Sequence, residues 1–220
     1  IPETINVVES TSRSRTLVRS ISDTVGVSDT IPYYKQRTWK IPQSDTIGVA
    51  EEFKPADEGW GPRKVPIVRG HPELAWHIVE SAMSEEFDLA VAGSLDVDHG
   101  LTVPLSIAYD KPDEWPSAVV PVCVNVIQHP LPSALRCFKL GQAIGRAVRR
   151  FDQDLSVGIW GTGGLSHQLG GERAGVVNPE FDKKFLDNLT QDPMANTAYS
   201  HTDFIREAGS EGVEMIMWNV

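Results

Sequence analysis

Histidine is missing from the first 70 residues of this 220-residue chain; its six histidines run from His71 to His201. Chemistry that needs an imidazole must therefore draw on the later part. Cysteine is nearly absent. Cys123 and Cys137 are the only two and do not sit in CxxC spacing. That excludes a disulfide framework and a zinc knuckle, and a reduced, cytoplasmic setting is the expectation. Basic charge is scarce: 20 Lys and Arg stand against 30 Asp and Glu, a net charge of −10. A surface that neutralises phosphates needs the opposite balance, so no nucleic-acid partner is expected. No apolar run is long enough to cross a bilayer, so no membrane association is expected either. The opening "IPETINVVES" lacks the basic and apolar regions of a signal peptide.

What remains is enough chain for one sizeable domain. Its text changes near residue 47. Residues 1–46 are rich in Ser and Thr ("ESTSRSRTLVRSISDT") and offer only short strand-like pieces. They form an atypical leading segment, and residues 47–220 form the domain proper. There "HPELAWHIVESAMSEE" predicts a helix, with Pro72 in its first turn and Leu74, Ala75, Ile78, Val79 and Ala82 on one face. "FDLAVAGSL" predicts a short buried strand. "DVDHGLTVPLSIAY" predicts a turn and an apolar segment, and "SAVVPVCVNVIQ" a strand that Pro121 places at an edge or bulge. "PSALRCFKLGQAIGRAVRRF" predicts a helix capped by Ser133 with a Leu140, Ile144, Val148 stripe. "LSVGIW" predicts a buried strand, "NPEFDKKFLDNLTQD" a helix capped by Asn178, and "SEGVEMIMW" a helix capped by Ser210. Strands alternating with helices predict an α/β fold: one domain, a central sheet flanked by helices, and a site in the strand-end loops.

The glycine-rich "GTGGLSHQLGGERAG" holds one histidine, His167. An imidazole can take and return a proton near neutral pH, and the glycines let a ligand approach the backbone. The bland account is a loop histidine bonded to a carbonyl; the residues alone leave the two evenly balanced. "GTGG" lacks the Lys-Ser/Thr of a P-loop and the GxGxxG spacing, so a phosphate cradle is set aside. His99, in "DVDHG" beside Asp96 and Asp98, reads slightly better as an aspartate-capped turn than as a ligand site. Glu214 precedes Met215, Ile216, Met217 and Trp218, which suggests burial, and a buried carboxylate needs a cation, a metal or a proton. Glu211 is explained by a helix first turn. His71, His77, His129 and His201 read as structural, and Asp57, Glu58 and Arg63 as a local ion-pairing loop.

"FKPADEGWGPR", "GHPELAWHI", "DVDHGLTVPLS", "WGTGGLSHQLGGERAG", "NPEFD" and "REAGSEGVEMIMW", in order from about Thr46 to Trp218, resemble the class III extradiol ring-cleavage dioxygenases. That family includes the protocatechuate 4,5-dioxygenase β subunit and gallate dioxygenase. The resemblance implies a mononuclear Fe(II) held by two histidines and a glutamate, with open positions for a catechol and O₂. It implies Glu214 as the iron carboxylate and His167 as the acid/base acting on the catechol proton. It implies His99 as a second active-site histidine, and Gly163 and Gly164 against the substrate. It further implies a small aromatic diol substrate and a small helical α subunit in an α₂β₂ assembly.

The departures are as informative. The family's iron histidines come from its N-terminal part, in an "SHIP"-like and an "NDH"-like turn, and residues 1–70 here have no histidine. Residues 1 to about 40 do not resemble the family, and the match stops at "MWNV", ahead of the family's C-terminal segment. One carboxylate without its two imidazoles should bind iron weakly. Two alternatives stay open: a metal-free relative acting as a binding or structural subunit, and a zinc hydrolase using His99, His167 and Glu214.

Overall fold

The structure, a computed structural model, describes residues 45–56, 65–110, 112–126 and 130–220. The leading segment up to residue 44, the loop charges Asp57, Glu58 and Arg63, and His129 lie outside the described residues.

Two helices form the first layer of the core. Helix α1, Pro72–Ser84, starts as its sequence requires: proline occupies the first turn and the His71 ring accepts the Leu74 amide at 3.2 Å. Leu74, Ala75, Ile78, Val79 and Ala82 are its buried residues, the face that the spacing predicted. Helix α3, Ala134–Arg150, is capped by the Ser133 hydroxyl, and Arg149 and Arg150 sit in its last turn, where the helix dipole favours cations. Leu140 and Ile144 are buried and pack with α1 and with Ile47 and Val49. Burying each such aliphatic side chain contributes about 1.5–3 kcal/mol. His77 bonds the Ala147 carbonyl at 3.0 Å and ties α1 to α3.

The strands are short. Strands β1 (Thr46–Gly48), β4 (Ala90–Ala92) and β6 (Val122–Cys123) form one sheet in the order β4-β1-β6, parallel between β1 and β4 and antiparallel between β1 and β6. Strands β2 (Glu52–Pro55), β3 (Val68–Arg69) and β5 (Asp96–Val97) form the other, in the order β3-β2-β5. Phe53, Val68, Val97, Leu105 and Trp115 pack against this second sheet, Leu105 coming from helix α2, His99–Tyr109. The α/β class therefore stands, with the sheet layer split into two three-stranded sheets where one central sheet was expected. Asp45, at the entry to β1, is buried; it pairs with Arg136 of α3 and accepts the Asn125 amide at 3.1 Å.

Beyond α3 the chain builds a second core from helices α4 (Pro179–Gln191), α5 (Pro193–Asn196), α6 (His201–Ala208) and a closing 3₁₀ helix, Gly212–Asn219. Phe181, Phe185, Phe204, Met215 and Ile216 pack there around Cys137. The rings of Phe185 and Phe204 meet edge to face at 5.9 Å. Asn178 caps α4, as its sequence predicted. A Ser200–Asp203 capping box opens α6.

Two expectations need correction, and a third gains its element type. "LSVGIW", residues 155–160, is not a strand: it pairs with no described residue and is exposed throughout. The apolar segment after "DVDH" is helix α2. "FDLAVAGSL" does yield a strand, but Val91 is exposed because β4 is a sheet edge. Among the described residues, no helix is long and apolar enough to cross a membrane.

Candidate active site

The glycine loop runs from the exposed 155–160 segment onto the 3₁₀ helix. Gly163 has φ +131°, a conformation that side-chain-bearing residues rarely adopt. Gly164 is required by proximity. A Cβ there would stand 2.7 Å from Glu214 Oε1 and 2.8 Å from His167 Cε1. Its amide instead donates to Glu214 Oε1 at 2.6 Å. The imidazole lies on the same carboxylate oxygen, with His167 Nε2 3.9 Å from Glu214 Oε1. Loop, carboxylate and imidazole thus form one cluster.

The ring's protonation pattern follows from its other contact. His167 Nδ1 is 2.8 Å from the Leu165 carbonyl, which can only accept, so Nδ1 carries the proton in the neutral ring. Nε2 is left with its lone pair on the side of Glu214 and solvent, the state a general base needs. The His167 backbone is fixed as well: its amide donates to the Ala208 carbonyl at 2.7 Å and its carbonyl accepts the Gly212 amide at 3.1 Å.

Glu214 differs from its expected burial. Met215 and Ile216 are buried, but the Glu214 side chain keeps 24% of its surface exposed and faces the loop. Ser210 does not cap the 3₁₀ helix; Glu211 occupies that position, and the Ser210 hydroxyl donates to its carboxylate. Glu211 Oε2 also accepts the Leu169 amide at 3.2 Å. These bonds, that from Ser210 first, hold the Glu211 carboxyl below its ordinary range. Glu211 therefore pins the loop just past His167, a contact 42 residues away in sequence.

Of the residues singled out from the sequence, Gly163, Gly164, His167 and Glu214 come together. The contacts that join these four, from the Gly164 amide to Glu214 and from the His167 ring to Glu214, do not run through His99. It is exposed at the first position of α2, where Asp98 caps the helix through the Gly100 amide at 2.9 Å. The sequence missed Ser166 and Asp182, which hold the loop from α4, and the loop-pinning role of Glu211. Nothing local in the sequence marks the first pair, since Asp182 already reads as an acidic first-turn residue of α4.

A two-histidine, one-carboxylate iron set needs three such side chains together. Among the described residues, no group of three His, Cys, Asp or Glu side chains could hold a metal ion. His71, His77 and His201 are committed to a helix cap and to the Ala147 and Pro132 carbonyls. The described residues do not fit that set.

Comparison with known proteins places the arrangement. The catalytic LigB subunit family of aromatic ring-opening dioxygenases matches residues 31–220. The chain belongs to this LigB family. The match includes residues 31–46, which the division by composition had set with the leading segment. A gallate dioxygenase of Pseudomonas putida is 45% identical over 163 residues, covering 74% of this chain and 48% of that protein. A 2,3-dihydroxyphenylpropionate/2,3-dihydroxicinnamic acid 1,2-dioxygenase of Burkholderia vietnamiensis is 26% identical over 206 residues, covering 74% and 63%. One of the same description from Photorhabdus laumondii is 32% identical over 130 residues, covering 59% and 38%. The chain thus spans about half the length of the curated relatives it matches.

Proposed function

We propose that residues 47–220 carry the carboxylate and acid/base part of an extradiol ring-cleaving dioxygenase, acting on protocatechuate, gallate or a close catechol analogue with O₂. The carrying observation is the His167 ring, proton-bearing on the Leu165 side and open at Nε2 beside a carboxylate that the Gly164 amide holds. Membership of the LigB family and the likeness to a gallate dioxygenase support the substrate class. In this reading Nε2 takes the proton of a ring hydroxyl, and Gly163 and Gly164 let the aromatic ring approach because they present no side chains. Were Fe(II) held, the metal the resemblance implies, Glu214 would be the carboxylate this chain offers it. His99 stands at the substrate and O₂ side, and a small α subunit covers the site in an α₂β₂ assembly.

A second reading is a metal-free relative that keeps the fold and acts by binding, because no group of three metal-ligating side chains stands together among the described residues. Oxygen uptake with protocatechuate and with gallate, under Fe(II) in excess, separates them. Ring cleavage predicts uptake that falls at least a hundredfold in His167→Ala, in line with the usual worth of a general base of about 10²–10⁴. No uptake by the unsubstituted chain with either catechol supports the second reading.

A further inference from the structure

Ser166, the residue before His167, is 5% exposed, and both of its donors go to one carboxylate. Its amide donates to Asp182 Oδ1 at 2.9 Å and its hydroxyl to Asp182 Oδ2 at 2.8 Å. The same hydroxyl oxygen accepts the Asn178 amide at 2.6 Å. Asp182 lies in the first turn of α4, where the helix dipole favours a carboxylate. It is not needed there as a cap, because Asn178 already receives the Phe181 amide at 3.2 Å.

We infer that Asp182 is a positioning residue for His167, acting through Ser166. Two bonds from one residue to one carboxylate fix Ser166 against rotation. The next residue is then held from its far side by the Ala208 carbonyl and the Gly212 amide. Among these restraints, Asp182 is the side chain that fixes the loop to α4. Without it, Ser166 keeps only the Asn178 amide as its tie to α4, and the loosened Ser166 lets the ring drift from the Leu165 carbonyl and from Glu214. The inference rests on the reading of His167 as the acid/base.

Wild type, Asp182→Ala and Asp182→Asn decide it, the last keeping an oxygen acceptor for one of the two bonds. In the metal-free chain, long-range ¹H–¹⁵N spectra report which His167 nitrogen bears the proton, and amide exchange reports residues 166 and 167. Asp182→Ala is expected to speed exchange of those two amides about tenfold or more and to mix the two neutral ring forms. Amides of α1 and α3 should keep wild-type rates, and Asp182→Asn should recover part of the loss. Unchanged Ser166 and His167 signals overturn the inference. So does a loss of protection spread equally over α1 and α3, which marks general destabilisation.

In a preparation that turns over, Asp182→Ala lowers kcat with KM near wild type. In the His167→Ala background it adds no further loss; an added loss there overturns the inference. Failure of the wild-type chain to turn over counts against the ring-cleavage reading alone, since the exchange and ring measurements need no turnover.

Discussion

Replacing Gly164 with alanine perturbs the site at its tightest point, and its effect can be worked out atom by atom. The new Cβ would lie 2.7 Å from Glu214 Oε1 and 2.8 Å from His167 Cε1, both well inside contact distance. Either side chain must retreat, and the 2.6 Å bond from the Gly164 amide to Glu214 lengthens or breaks. A hydrogen bond to a charged group contributes about 1.5–3 kcal/mol. With the carboxylate 24% exposed, water recovers part of that, leaving a cost of about 1 kcal/mol. Gly164 is not among the positive-φ residues, so alanine adds no backbone strain, and restricting the unfolded chain returns about 0.4–1 kcal/mol. The net effect is a Tm lower by no more than about 3 °C for a chain of this size. Gly163→Ala, at φ +131°, should lower Tm further, because it meets strain of about 1–2 kcal/mol. The decisive assay is a thermal-unfolding cycle. In a Glu214→Ala background the obstructing oxygen is gone while the His167 ring, 2.8 Å from the new Cβ, remains, so Gly164→Ala should lose only the part of its cost that Glu214 causes. An equal Tm change in both backgrounds would refute the argument that Glu214 makes Gly164 necessary.

The rest of the fold supplies further tests. Asp45→Ala leaves Arg136 unpaired and the Asn125 amide without its acceptor, and should cost about 2 kcal/mol by urea denaturation, below the usual range for a fully buried pair because Arg136 is partly exposed. Burial pushes the Cys137 thiol up to about 11; the Cys123 thiol is raised too, first by burial and then by the Asp98 charge, but its residue is exposed, so a thiol reagent should modify Cys123 slowly at neutral pH and Cys137 only once the chain unfolds. The Asp203 carboxyl is held below its ordinary value, first by the Ser200 hydroxyl and then by the Ser200 amide and Arg206. A carboxyl whose folded pKa is depressed stabilises the fold above its unfolded pKa and loses that contribution as pH falls through the folded one. The α6 amides should therefore stay protected at pH 5–7 and lose protection below about pH 4; Asp203→Asn should remove this acid step, and a step that persists would assign it elsewhere.

The helices were legible because their signals are local. Ser133, Asn178 and Pro72 sit where a helix start needs them, and the Leu74–Ala82 spacing repeats with the helix. The sheets were less legible because a strand is defined by its neighbour. Residues 155–160 alternate Leu, Val and Ile with smaller or aromatic residues, yet no described segment pairs with them, and alternation alone makes no sheet. At the site, the glycines, His167 and Glu214 stood out from the residues themselves, and the resemblance added their roles. Asp182 did not stand out, because an acidic residue in a first helical turn already has a sufficient local account. Its bond to Ser166 spans 16 residues and appears only once α4 is folded against the loop. Ser210 misled for a related reason: it fits a cap, but its hydroxyl finds Glu211 first.

Anaerobic titration of the chain with Fe(II), followed by desalting and metal analysis beside Glu214→Ala, tests the central claim most directly. The account predicts saturable but weak binding that depends on Glu214, with well under one iron per chain after desalting, because no group of three metal-ligating side chains stands together among the described residues. One iron per chain surviving desalting would contradict it by showing a complete donor set in this chain. Iron binding that is the same in Glu214→Ala would contradict it by taking that carboxylate out of the site.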